Sequence, residues 1–191
     1  MRCLMCENLS FLHICKKCQN NFLAPSIYRR KILGNIEVIS FYKYSDIKEL
    51  LHTKHTDVGY YIYSILAKNS IAKFASAFEY PHKVVSIGVD DSARSGYSHT
   101  AILNKALKSN SIEPLFGKLR AKNRVSYSGK TKEFRLLNPR DFVLKEFKQK
   151  SVILVDDIIT TNLTLTQAVA ALQKEKIEVL FCLTLADASL N

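Results

Sequence analysis

The stretch VILVDDIITTNLTLTQA, Val152 to Ala168, opens as a run that suits a buried strand and closes as the first turns of an amphipathic helix. Between them stand two adjacent acids, Asp156 and Asp157, and a cluster of hydroxyls. Like charges side by side straight after Val152, Ile153, Leu154 and Val155 are unfavourable for folding alone, so the sequence points to a ligand. In an open α/β sheet, ligands bind beyond the carboxyl ends of the strands, where this order places both acids. Thr160, Thr161, Asn162, Leu163 and Thr164 then turn into a helix. Its free N–H groups and dipole form an anion site, to which the threonine hydroxyls add donors. Two carboxylates suited to sugar hydroxyls or Mg²⁺, followed by donors suited to phosphate, match a ribose phosphate. An acidic cap on an ordinary helix is the alternative, but it does not require two acids, two threonines and Thr164 in that order.

Outward from this stretch, strands alternate with helices. IEVISFYKY, KVVSIGV, IEPLF, SVILV and IEVLFCLTLA are apolar or β-branched runs with strand character. SDIKELLHTKH, with Ser45 as N-cap and Lys48 and Glu49 facing outward, is predicted helical. So are residues 58–77, TAILNKALKS, and the segment from about Leu163 to Lys176. APSIYRRKI reads as a basic connector and Lys118 to Lys132 as an irregular basic stretch. The alternation predicts a doubly wound α/β domain with a mainly parallel sheet. We expect two units, a small one over 1–24 and the α/β domain over 32–191.

The 191 residues carry 28 Lys and Arg against 17 Asp and Glu, a formal charge of +11, and 47% hydrophobic residues, enough for one well-packed core. The charge is uneven. Residues 105–150 hold 13 Lys and Arg against 4 acids, a net +9, whereas residues 151–191 are net −3. Such a block is the footprint of a polyanion site, for nucleic acid or phosphorylated metabolites, or else a solvated lysine-rich face. Lys118 to Lys132 reads as a mobile loop or equally as a strand-binding surface; on the second reading Lys118, Arg120, Lys122, Arg124, Lys130 and Lys132 are the candidate contacts to single-stranded DNA, with Tyr127 and Phe134 available for base stacking. No apolar run is long enough to cross a bilayer, and charges and cysteines interrupt the amino-terminal segment where a signal peptide would be apolar. A cytoplasmic location without membrane insertion is expected.

Cys3, Cys6, Cys15 and Cys18 form two CxxC pairs separated by eight residues. Each pair brings two thiolates to one ion from a tight turn, and four sulfurs suit tetrahedral zinc. An iron–sulfur cluster also takes four thiolates, while disulfides are disfavoured where thiols stay reduced. Four sulfurs leave no open position for a catalytic water, so the zinc would be structural. His13, between the pairs, is expected at the surface, and Cys182 is expected in the core.

The run Val152 to Leu165 resembles the motif of type I phosphoribosyltransferases that binds 5-phosphoribosyl 1-diphosphate (PRPP). That motif has four hydrophobics, two acids, two hydrophobics, then Thr-Thr-Gly-x-Thr. The resemblance implies that Asp156 and Asp157 hold the ribose 2- and 3-hydroxyls, that Thr160 to Thr164 cradle the 5-phosphate, and that Mg²⁺ accompanies PRPP. Asn162 stands where that family has glycine, and a positive φ is expected there, since asparagine tolerates left-handed backbone. With the CxxC pairs, the chain resembles the competence protein F family, which joins a zinc knuckle to a phosphoribosyltransferase-like domain. RLLN, Arg135 to Asn138, looks like that family's late Arg-x-x-Asn element. Its Val-Pro-Val-Pro stretch, where a pyrophosphate loop is expected, stands here as VSIGV, and its Arg-Gly-Phe-Asn-Gln as SGYSH, which leaves Arg94 as the candidate pyrophosphate contact. The resemblance implies a role in natural transformation, with PRPP, incoming single-stranded DNA and other DNA-uptake proteins as partners. A phosphoribosyltransferase salvaging nucleobases is the alternative, although LADASLN follows the last strand too closely for a separate carboxyl-terminal hood.

Overall fold

A computed structural model of the chain describes residues 1–90, 92–93, 96–123 and 131–190. Its centre is a seven-stranded sheet in the order β1-β2-β7-β6-β3-β4-β5, built from β1 (Tyr28–Ile32), β2 (Ile36–Lys43), β3 (Val84–Val89), β4 (Ile112–Ala121), β5 (Phe142–Leu144), β6 (Ser151–Ile159) and β7 (Glu178–Asp187). The five inner strands run parallel, and β1 and β5 close the two edges antiparallel. The expected α/β architecture, a mainly parallel sheet flanked by helices, is present.

The helices are α1 (Lys16–Phe22), α2 (Tyr44–Leu51), α3 (Asp57–Asn69), α4 (Ile71–Ala77), α5 (His99–Lys105), α6 (Lys132–Leu137) and α7 (Leu163–Lys174), with a 3-10 turn at His52–His55. Alternation along β6 divides the core between the two faces of the sheet. Ile153 and Val155 join one apolar cluster with residues of α2 to α5, while Val152 and Leu154 join another with α7. Leu165, Ala168, Val169 and Leu172 are the buried stripe of α7, at the i, i+3, i+4, i+7 spacing of an amphipathic helix.

This arrangement positions the site. From β3 the chain crosses through α5 to β4, towards one edge; from β6 it crosses through α7 to β7, towards the other. Neighbouring strands β3 and β6 therefore send their continuations in opposite directions. Their carboxyl ends are the topological switch point of an open parallel sheet, the place where such folds form a ligand crevice.

Several local expectations differ from the structure. Tyr28 to Ile32 is an edge strand, because Tyr28 pairs with Ser40 and Ile32 with Ile36. The predicted helix over 58–77 is broken at buried Ser70, whose hydroxyl donates back to the Leu66 carbonyl at 2.7 Å and competes with the helix ladder. Ser45 lies inside α2, one residue past its start at Tyr44, and makes no cap bond. Lys118 to Ala121 belongs to β4, held by pairing of Leu119, Arg120 and Ala121 with β5. Where Ile87 faces Leu115 and Val89 faces Leu119, β4 carries extra residues around Gly117, which takes φ 65 at this bulge.

Candidate functional site

The acid pair sits at the end of β6, but inside the strand. Asp156 pairs with Thr184 of β7, and Ile159 still pairs with Asp187, so both aspartates are in the ladder and only 8% and 7% exposed. Each accepts from the next backbone N–H, Asp156 Oδ1 from Asp157 at 2.8 Å and Asp157 Oδ1 from Ile158 at 2.9 Å. Asp157 Oδ2 faces three donors: Lys54 Nζ at 3.3 Å, the Tyr63 hydroxyl at 3.4 Å and His99 Nε2 at 3.5 Å.

These surroundings separate the two carboxyls electrostatically. Burial disfavours charge on both. For Asp157 the positive groups of His99 and Lys54 prevail and hold it down at about 2. Asp156, buried beside the charged Asp157, is pushed well above the usual range despite the Arg140 guanidinium nearby. Burial and Asp157 also push the Tyr63 phenol up, so it remains a neutral donor. Arg140 Nη1 lies 3.4 Å from Asp90 Oδ2 at the end of β3, and Asp90 Oδ1 accepts from the Ala121 amide at 3.2 Å. Asp90 takes φ 49 where the chain leaves β3. The VSIGV segment is the buried strand itself, and the turn begins one residue later.

Downstream of the acids, Asn162 adopts φ 65 and ψ −14, the left-handed conformation expected from the sequence, and is the N-cap of α7. Among the described residues its side-chain Oδ1 is buried without a hydrogen-bond partner. The Asn162 side chain makes no cap bond to the first turn of α7, whose N–H groups lie at the positive end of the helix dipole. Thr160 and Thr161 are exposed. Sequence reading missed what holds this loop. Arg30 of β1 donates from Nη2 to the Thr160 carbonyl at 3.2 Å, and from Nη1 to Asp187 at 2.9 Å and Ser189 Oγ at 2.8 Å.

At the amino terminus the four sulfurs of Cys3, Cys6, Cys15 and Cys18 lie within 4.8 Å of one another. Cys6 and Cys15 are 3.8 Å apart, the sulfur separation of about 3.8 Å that tetrahedral Zn–S bonds of about 2.3 Å require. The donor set fits zinc. Against burial, backbone N–H groups of Cys15, Met5 and Cys6 draw the Cys3 thiol down to about 6, while burial and the neighbouring sulfurs push Cys18 up to about 12. A bound metal would ionise it. His13 is not in this cluster and not a bare surface residue: its ring stacks on Tyr61 of α3 at 4.4 Å. Cys3, Ile14, Cys18 and Leu23 are buried in the same apolar cluster as α3 and β2. Cys182 is a core residue, as expected.

Of the basic candidates, Lys118, Arg120 and Lys122 alternate along β4 and the residue after it, with Lys118 Nζ donating to the Glu146 carbonyl at 2.8 Å. Arg94, Arg124 and Lys130 fall outside the described residues, as do Tyr127 and the side chains of Lys132 and Arg135. Asn138, the last member of RLLN, caps α6 by donating to the Phe134 carbonyl. Among the described residues, no helix is long and apolar enough to cross a membrane.

No family model and no curated protein matches the chain. Solved structures do. The orotate phosphoribosyltransferase of Aeropyrum pernix shares 16% identity over 90% of this chain and 80% of its own, with a TM-score of 0.41. That of Mycobacterium tuberculosis H37Rv, in complex with Fe(III) dicitrate, shares 16% over 90% and 82%, at 0.40. A hypoxanthine phosphoribosyltransferase from Staphylococcus aureus shares 17% over 65% and 62%, at 0.36.

Proposed function

We propose that the chain binds PRPP in the crevice at the ends of β3 and β6 and acts as a phosphoribosyltransferase-like protein of the competence protein F type, in DNA uptake and the handling of incoming single strands. One observation carries the ligand assignment. Two buried carboxylates at a switch point are followed, five residues on from Asp157, by a left-handed Asn162 that opens α7. Sugar hydroxyls would donate to Asp156 and Asp157. The 5-phosphate would take the amides of the Thr160 to Thr164 loop, with the threonine hydroxyls as further donors. Zinc on the four cysteines would stabilise the amino-terminal segment without taking part in chemistry. For the DNA-handling part, the support is the alternation of Lys118, Arg120 and Lys122 along β4 and the residue after it, together with the resemblance in sequence.

The experiment is a thermal-shift titration of the full chain with PRPP. The parent melting temperature should rise, and Asp156→Asn combined with Asp157→Asn should remove that rise while circular dichroism stays unchanged. A double variant that responds like its parent rejects the ribose assignment. In a naturally transformable host, the same variant should import or integrate DNA poorly while growing without nucleobase supplements. Nucleobase auxotrophy with normal transformation would instead establish the salvage role.

A further inference from the structure

Asp157 does not wait for a metal ion; this chain already supplies it with a cation. Lys54, Tyr63 and His99 approach its Oδ2 from three separate elements: the 3-10 turn, α3 and the start of α5. Lys54 is not a surface lysine that happens to lean inward. Its own carbonyl accepts a bond of 2.7 Å from the Tyr97 hydroxyl, and the neighbouring Thr53 hydroxyl donates to Leu50 at 2.6 Å. Gly59 of α3 lets the Thr53 carbonyl and the Tyr97 hydroxyl approach so closely that any Cβ there would collide with both. The ammonium is thus delivered from a fixed turn, and its side chain is 27% exposed against 10% for Asp157.

A divalent ion at the acid pair would meet a poor donor set. Mg²⁺ requires near-octahedral oxygens at about 2.0–2.1 Å and keeps several waters. Here one oxygen of Asp156 and one of Asp157 already accept backbone N–H bonds, and Asp157 Oδ2 faces the ammonium. A divalent ion directed at the oxygen that Lys54 and His99 already face is repelled by both, and more strongly in a buried site than in water. Arg140, paired with Asp90, adds a further positive group on the Asp156 side. The residues do not fit Mg²⁺.

Resting on the PRPP reading, we infer that Lys54, beside His99, serves as the resident cation of this site and that Asp156 and Asp157 take the ribose without a divalent ion. Lys54 offsets the charge of Asp157, so an anionic sugar phosphate can approach the carboxylates. Each Asp157 oxygen keeps a second lone pair that accepts from a ribose hydroxyl, which unlike a metal ion adds no net charge beside Lys54, and Tyr63 supplies a neutral donor beside them.

The test is isothermal titration calorimetry of the full chain with PRPP and with ribose 5-phosphate, each in EDTA and in millimolar MgCl₂. The wild-type affinity for PRPP should agree within about threefold between the two buffers, whereas Lys54→Met should lose about tenfold or more in EDTA and recover part of it with Mg²⁺. Lys54→Arg should keep the metal-independent binding, which separates loss of the cation from loss of the fold; melting curves of both variants check the latter. Wild-type binding of PRPP that falls more than about tenfold in EDTA, with ribose 5-phosphate still bound, overturns the inference and leaves the PRPP reading standing. A Lys54→Met variant indistinguishable from the parent in both buffers also overturns it. Failure of both ligands in both buffers rejects the PRPP reading and this inference with it.

Discussion

Asp156 and Asp157 share a strand end yet contribute to stability with opposite signs. Asp157 is held at about 2 by His99 and Lys54, below the unfolded value of about 3.9. Its contribution is therefore fully present above about pH 4 and is lost as pH falls towards about 2. Asp156 is raised, so its contribution is present at low pH and is lost as pH rises through its folded value. Singly, Asp156→Asn should raise the melting temperature at pH 7, because the amide imitates the protonated acid and still accepts the Asp157 N–H. Asp157→Asn should lower it by about 1–3 kcal/mol in stability through the stranded Lys54, and the loss should vanish near pH 2. Melting curves of both variants across pH check the signs; equal shifts would refute the asymmetry. Gly59→Ala should be destabilising by about 1–3 kcal/mol or more, since its methyl collides with Thr53 and Tyr97. Asn162→Gly, by contrast, should be neutral or favourable for phosphate binding, because glycine reaches φ 65 without side-chain strain.

At the scale of elements, the loop between β6 and α7 depends on an edge strand far away in sequence. Arg30 of β1 ties the Thr160 carbonyl to Asp187 at the end of β7. Arg30→Ala should weaken sugar-phosphate binding more than it lowers the melting temperature, and Arg30→Lys should restore only part of the affinity, since a single ammonium cannot span both acceptors. Calorimetry alongside melting curves separates the two effects. The amino-terminal knuckle is coupled in the same way. Ile14 and Leu23 are buried in the main cluster, His13 stacks on Tyr61, and Gln19 accepts from Asn69 at 3.0 Å. Chelator treatment of protein loaded with zinc, or Cys18→Ser, should therefore lower the melting temperature of the whole chain rather than release an independent unit. Apparent zinc affinities of about 10–16 kcal/mol in small knuckles set the scale available. A stoichiometry well below one zinc per chain in protein purified without chelator would count against the site.

For the molecule as a whole, the relevant field is the +9 of residues 105–150 against the −3 of residues 151–191. Single-stranded DNA should bind weakly, with little sequence preference and a steep dependence on salt. Each contacting charge removed among Lys118, Arg120 and Lys122 should reduce the log–log salt slope by about 0.7. Fluorescence anisotropy across a salt series reads this, and an unchanged slope in the triple alanine variant would exclude β4 as the contact.

What the sequence determined by itself was local: the apolar run of β6, the adjacency of its two acids, the stripe of α7, the spacing of the cysteines and the left-handed turn at Asn162. Each depends on residues within a few positions of one another, so periodicity and residue chemistry suffice to read it. What the tertiary structure alone decided is how those acids are charged. Lys54 and Tyr63 lie 103 and 94 residues before Asp157, and Arg30 lies 157 residues before Asp187. The run LHTKHT was a visible concentration of basic groups, but nothing in it specifies which carboxylate it meets. That pairing exists because the chain crosses from β2 to β3 through the 3-10 turn and α3 over one face of the sheet. The crossing sets the ammonium of Lys54 against the end of β6, where burial makes an uncompensated carboxylate costly.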